Sequence, residues 1–272
     1  MITVLGASGF VGSSLVNLLK DRGEAYYTPQ RNDDLFDRDL GHVIYCIGMT
    51  ADFRTKPFDT IESHVCKLSG LLQNAQFDSL TYLSSTRIYI NTPYSKTKVK
   101  EEDSIIINSI NPSDIFAASK MTGELLALNS GRENIKIVRL SNVFGDDFYS
   151  ENFITSVIKE ALTKYEVKIN SSPDSAKDYI AIEDVCQSLF LLANLNITGV
   201  FNLAYGSNIS NEDLLSEIAR LTDSKMCYAP DAPRILFTEI DTSKLEKVIQ
   251  FKPERSVLSS LPKIVQSFRS KM

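Results

Sequence analysis

The segment MITVLGASGFVGSSLVNLLK, Met1 to Lys20, decides the fold. Ile2, Val4 and Leu5 make a short apolar strand. Gly6, Gly9 and Gly12 follow at G-x-x-G-x-x-G spacing, and Val11, Leu15, Leu18 and Leu19 recur at helical period. The order is strand, glycine turn, helix. Gly6 permits the tight turn, Gly9 lets the backbone approach a pyrophosphate, and Gly12 lets the helix lie close on the strand, with its amides and dipole facing the anion. A nucleotide cofactor is therefore expected against Gly6, Ser8, Gly9, Phe10, Val11 and Gly12, because the glycines sit in the strand-to-helix context that gives their spacing meaning.

Working outward, a second strand is predicted over 25–28, and the polar run QRNDDLFDRDLGH after it is too short for a helix plus a strand. The usual crossover is trimmed there. Residues 43–47 form a continuous apolar run ending at Gly48, as expected of a strand covered on both faces. Phe58, Ile61, Val65, Leu68, Leu71 and Leu72 mark a helix over 58–72, and 80–83 the next strand, leading into SSTRIY. A charged, Pro-containing connection spans 91–111, followed by a helix over 115–128 and a strand over 135–140. Helices are further predicted over 153–162, 185–195 and 257–268, with one after Ser210 as N-cap, and strands near 167–169 and 200–203. The βαβ rhythm gives the class: α/β, a Rossmann-type doubly wound parallel sheet over 1–150 with a small C-terminal lobe over 151–272, residues 178–205 folding back onto the sheet. The cleft is expected at the carboxyl ends of the strands.

Composition excludes several classes. The 272 residues carry 29 Lys+Arg against 34 Asp+Glu, a net charge of −5, so no basic field exists to hold nucleic acid or an anionic membrane. No apolar run approaches the roughly 20 residues that cross a bilayer, and a first strand at Ile2 leaves no room for a signal peptide, so a cytoplasmic protein is expected. Cys46, Cys66, Cys186 and Cys227 lack C-x-x-C spacing and only His42 and His64 could join them. Buried free thiols are expected, with neither a metal nor a disulfide.

The chain resembles the extended short-chain dehydrogenase/reductases, the NAD(P)-dependent epimerase/dehydratase group, over nearly its whole length. The resemblance rests on GASGFVG at Gly6–Gly12, LSSTRIY at Leu83–Tyr89, FAASKMTGE at Phe116–Glu124, RLSNVFG at Arg139–Gly145 and KDYIAIEDV at Lys177–Val185, in the family's order, with FNLAYG and DTSKL adding to it. It implies hydride transfer between a nicotinamide and a sugar carbon of a nucleotide-linked substrate, coupled to proton transfer at oxygen. Ser85 falls on the position that hydrogen-bonds the substrate oxygen, and Lys120 on the lysine that holds the ribose and lowers the pKa of a catalytic tyrosine. The tyrosine position is Phe116. A phenyl ring has no proton to exchange, and losing general acid–base catalysis costs about 10²- to 10⁴-fold in rate. Three readings stay open: an inactivated variant of a tyrosine-bearing enzyme, a natural member with another donor, and a cofactor-binding protein that has lost catalysis. Tyr94 and Lys98 repeat the Y-x-x-x-K spacing but come too soon after Ser85 and precede no clear apolar helix, which reads as a solvated loop, with Tyr94 as a substitute proton donor from that loop the alternative.

Ile47 and Gly48 join the expected cofactor contacts. Arg31, just beyond the second strand, stands where the resemblance puts a basic residue in NADP users, so NADP is favoured, with Asp33 and Asp34 keeping NAD open. Thr50, Ser85, Thr86, Asn142 and Arg234 are the candidate substrate contacts, while Lys177 replaces a common arginine. Dehydratases of the group carry an acidic pair where Thr86-Arg87 stands, which disfavours dehydration. Reduction of a 4-keto sugar is expected, with C4 epimerisation and a non-catalytic sensor as alternatives. A homodimer through 58–72 and 115–128 is the assembly the resemblance implies.

Overall fold

The computed structural model describes every residue except Asn32, Ala51, Asp52 and Lys96. Its first strand, Ile2–Leu5, is buried along its whole length and pairs in parallel with Tyr26–Tyr27 on one flank and His42–Tyr45 on the other. Ser79–Ser85, Ile135–Leu140 and Gly199–Leu203 extend the sheet, all parallel, to six strands. The chain lays its second strand on one side of the first and its third on the other, so the direction of winding reverses beside Ile2–Leu5. A crevice opens at that point, at the carboxyl ends of the strands.

Alternate residues of each strand feed two cores. Ile2, Val4 and Ile44 pack with Leu15 and Leu19 of helix Phe10–Asp21 and with Val185 and Leu189 of helix Ile182–Ala193. Leu5, Val43, Tyr45 and Tyr82 face the other way, onto Leu68 and Leu71 of helix Lys67–Asn74 and Ala127 of helix Ile115–Leu128. The sheet is thus covered on both faces, as continuous apolar strands require. A separate core unites helices Phe153–Thr163, Asn211–Thr222 and Val257–Lys271 with strands Glu166–Ile169 and Ala176–Ala181. Ser210 caps its helix as expected, its hydroxyl accepting from the amide of Asp213.

The expected single helix over 58–72 is three consecutive pieces: α-helical Pro57–Ile61, π-helical Glu62–Cys66 and α-helical Lys67–Asn74. The π turn inserts an extra residue and rotates everything after it, so the apolar stripe slips phase. Phe58 is 88 % exposed and Ile61 lies at the surface, whereas His64 is fully buried. Short strands at Asn142–Phe144, Asn208–Ser210 and Lys225–Tyr228 and the helix Ser243–Ile249 carry too few apolar residues to be read from periodicity.

A buried polar frame ties the end of strand Ser79–Ser85 to its surroundings. Glu124 accepts from Ser84 Oγ at 2.5 Å and from Arg139 through Nε and a terminal nitrogen, the latter at 2.8 Å. Arg139 also donates to Tyr89 Oη at 2.7 Å, and Tyr89 donates to Asn202 Oδ1 at 2.9 Å. Burial pushes the Tyr89 hydroxyl up to about 12, so it stays a neutral donor in this chain of bonds. Removing one member of a buried ion pair strands the other. Glu124→Leu and Arg139→Met are each expected to cost about 3–5 kcal/mol, with the double variant recovering part of the loss, as read from urea unfolding midpoints.

Candidate active site

The crevice deepens into a cavity of about 970 Å³ between sheet and lobe. Gly9, Phe10, Val11, Gly12, Ile47, Gly48, Thr50, Ser85, Thr86, Phe116, Lys120 and Asn142 all contribute to its wall. Gly6 and Ser8 do not; Gly6 stands behind the wall, its carbonyl accepting from the Gly9 amide at 3.1 Å. Arg31 is exposed and outside the wall, with no ion pair among the described residues. Arg234 is also outside it: its Nε meets Asp174 Oδ2 at 2.5 Å on the surface. Tyr94 is 62 % exposed and away from this cavity, and Lys98 is spent on Gly206 O and Glu239.

The glycine loop has the shape a dinucleotide needs. Helix Phe10–Asp21 begins at Gly9 with no side chain capping it, so its first amides face the cavity unclaimed. A Cβ on Gly12 would stand 2.3 Å from the Gly6 carbonyl oxygen, and one on Gly6, at φ +85°, 2.9 Å from the Cys46 carbonyl carbon. Neither position has room for a side chain, and the close approach they allow seats the helix N-terminus over the crevice. Asp33 and Asp34 are engaged in the turn beyond the second strand: Asp33 Oδ2 accepts from the Gln30 amide at 2.8 Å and Asp34 Oδ1 from that of Phe36 at 2.8 Å.

Phe116 and Lys120, four apart on helix Ile115–Leu128, both reach the cavity. The Phe116 ring lies between Phe53, at 5.1 Å, and the edge of His64, at 5.5 Å. The sequence marks His64 only as a possible partner of the cysteines, because a lone histidine inside a helical stripe carries no further signal until the π turn brings it inward. Its Nε2 accepts from the Met49 amide at 3.1 Å. Its Nδ1 lies 2.8 Å from Ser119 Oγ, which donates onward to the Phe116 carbonyl at 2.9 Å, so the proton sits on Nδ1. Burial, then the charge of Lys120, pulls His64 down to about 3, leaving a neutral ring with both nitrogens engaged. Lys120 donates to the Leu83 carbonyl at 2.8 Å, and burial lowers it to about 7 against the opposing pull of Glu124 and Cys46. Ser85 Oγ accepts from the Arg87 amide at 3.1 Å, which leaves its hydroxyl proton free for the cavity.

Asn142 donates to the Asp178 carbonyl at 2.8 Å, and the buried Asp178 carboxylate in turn takes Ser141 Oγ and the amides of Tyr205 and Gly206. Burial raises the Asp178 carboxyl while those bonds hold it down. Three further wall residues present buried polar atoms without a protein partner: Asp147 Oδ2, Tyr179 Oη and Asn208 Oδ1. Buried polar atoms are ordinarily satisfied, and these three, closed off from solvent, lie on residues that line the cavity. Arg54, Arg87 and Lys177 add positive charge to the same wall. Among the described residues no group of three or more metal-ligating side chains is assembled, no helix is long and apolar enough to cross a membrane, and the four cysteines are free thiols.

The model of the NAD dependent epimerase/dehydratase family matches residues 2–204. The chain belongs to that family. Among the family's characterised members, it is 24 % identical to the UDP-glucose 4-epimerase of Mycolicibacterium smegmatis, over 98 % of each chain. It is 21 % identical to UDP-glucuronic acid decarboxylase 1 of Arabidopsis thaliana, over all of this chain and 70 % of that one. The same fold recurs in RMD from Pseudomonas aeruginosa complexed with NADPH, at TM-score 0.83 and 19 % identity over 99 % of both chains.

The folded-state pKa of His64 lies below its free value, so as pH falls the unfolded chain takes up the proton first and stability declines from about 6.5 toward about 3. The slope reaches at most ~1.4 kcal/mol per pH unit. Urea midpoints between pH about 4 and about 7 should therefore fall more steeply for the unaltered protein than for His64→Gln.

Proposed function

We propose that the chain reduces a keto group, at C4, on a nucleotide-linked sugar with a nicotinamide nucleotide. The observation that carries this reading is the combination of Ser85 and Lys120 in one cavity with Phe116, not a phenol, in the position between sheet and lobe where the acid–base group of the family stands. The bound cofactor supplies a two-electron exchange with the sugar carbon. Ser85 hydrogen-bonds the reacting oxygen, Lys120 holds the cofactor ribose, and the amides at the start of helix Phe10–Asp21 hold its diphosphate.

The missing phenol bears on both directions alike, because the group that takes the proton in oxidation gives it in reduction, and next to the site His64 has both nitrogens committed. Hydride addition to a ketone then leaves an oxyanion held by Ser85, with the proton coming from water. Reduction is favoured over epimerisation by the NADP reading, since a reductase exchanges its cofactor whereas an epimerase retains it through both half-reactions. C4 epimerisation is the second reading, favoured by the mycobacterial epimerase that matches the chain end to end. Asp33 and Asp34 are committed to the turn while Arg31 is exposed beside it, which supports NADP. Exposed Phe58 and Leu125, on the two helices expected to pair, support a homodimer.

Phe116→Tyr is expected to raise turnover by about 10²- to 10⁴-fold, followed as NADPH oxidation with nucleotide-linked 4-keto sugars. Equal turnover in both proteins would overturn the assignment of position 116, and NADPH binding without turnover in either would leave a sensor. Arg31→Ala is expected to raise the KM for NADPH about tenfold, the loss of one charge-assisted contact, and to leave that for NADH nearly unchanged.

A further inference from the structure

Arg87 is fixed two residues beyond Ser85, on the short turn that its own amide helps to close. Its guanidinium carbon lies 5.4 Å from the centroid of the Phe53 ring, and that of Arg54 lies 4.5 Å from the same ring. Phe53 in turn packs on Phe116. Two guanidinium groups therefore lie on one ring, and that ring packs on Phe116 at the cavity wall. They repel each other, and burial further disfavours the charge on Arg87.

Among the described residues no carboxylate forms an ion pair with either. The acid that acts on Arg87 is Asp114, and its carboxylate is consumed by the side chains of Asn91 and Asn111 and the amide of Asn108. Arg54 Nε is held by Ser113 Oγ at 2.9 Å. Asp147 and Glu151, in the same wall, make no ion pair with either arginine among the described residues. Lys177 stands against the rings of Phe153 and Tyr179, within reach of the Arg87 charge, which lowers its pKa beyond what burial does. Arg54, Arg87 and Lys177 together bring more positive charge to this part of the wall than the diphosphate of a nucleotide-linked neutral sugar requires.

We propose that the sugar accepted by this cavity carries a carboxylate close to its reacting carbon, and that Arg87, with Arg54 beside it, recognises that group. The inference rests on the nucleotide-sugar reading above. A planar carboxylate matches the two parallel N–H donors of a guanidinium, and the apolar Phe53 face next to it suits the sugar's carbon skeleton.

The test is calorimetric titration of the NADPH-loaded protein with UDP, UDP-glucose and UDP-glucuronic acid. UDP-glucuronic acid is expected to bind about tenfold more tightly than UDP-glucose, one charge-assisted contact's worth. Arg87→Met should bring that ratio close to one and Arg87→Lys should restore part of it. Equal affinity for the two sugars in the unaltered protein overturns the inference and leaves the nucleotide-sugar reading standing. So does an Arg87→Met protein that weakens all three probes alike, which would make Arg87 a diphosphate clamp. Failure of all three to bind overturns the nucleotide-sugar reading itself, and the carboxylate inference with it. A thermal melt of each variant separates lost recognition from lost folding.

Discussion

Among the glycines the tightest approach is that of Gly12 to the carbonyl of Gly6. With 2.3 Å between that oxygen and the place a Cβ would occupy, helix and loop meet as bare backbone, and a Cβ on Gly6 would stand 2.9 Å from Cys46, just past the third strand. Three segments are thereby locked at one point of the sheet, the point where strand order reverses. The amide-rich end of the helix, the floor of the crevice and the start of the cofactor path are set by this one packing event. Everything placed later along the wall is measured from it.

Charge is sorted across the sheet in a way that the net charge of −5 does not convey. Glu124, Asp178 and Asp114 are turned inward and saturated by hydrogen bonds, each holding a strand end or a loop in place. The positive groups Arg54, Arg87, Lys120 and Lys177 are left along the cavity. An acidic protein can in this way maintain an anion-binding interior, because local field depends on which charges are already paired. Burial acts on three of these positive groups, lowering Arg87, Lys177 to about 8 and Lys120 to about 7.

The sheet was largely legible because its strands are continuous apolar runs and its glycines are spaced by a geometric need. The contributions of Gly9, Gly12, Ser85, Phe116 and Lys120 to the cavity followed from motif position, and the structure brings them to one wall. Arg234 was not readable in the same way. Its placement depends on Asp174, sixty positions away in sequence and adjacent in space, which takes up its charge outside the cavity. Phe53 and Arg54 belong to a loop with no periodic signal, and Tyr179 and Asn208 gain their significance only from unpaired atoms that sequence cannot display. Residue types announced the chemistry, whereas the partners that free or consume each group came from tertiary packing.

The π turn at Glu62–Cys66 has an evolutionary consequence. A helix with a phase slip is two surfaces joined end to end, each with its own periodicity, and the slip is where an added residue can be absorbed without breaking either. The stretch before it, with Phe58 and Ile61 outermost, is decoupled from the turn that packs His64 behind Phe116. Sequence drift on the outer surface can therefore proceed, and associations made there can be gained or lost, while the wall around Phe116 keeps its shape.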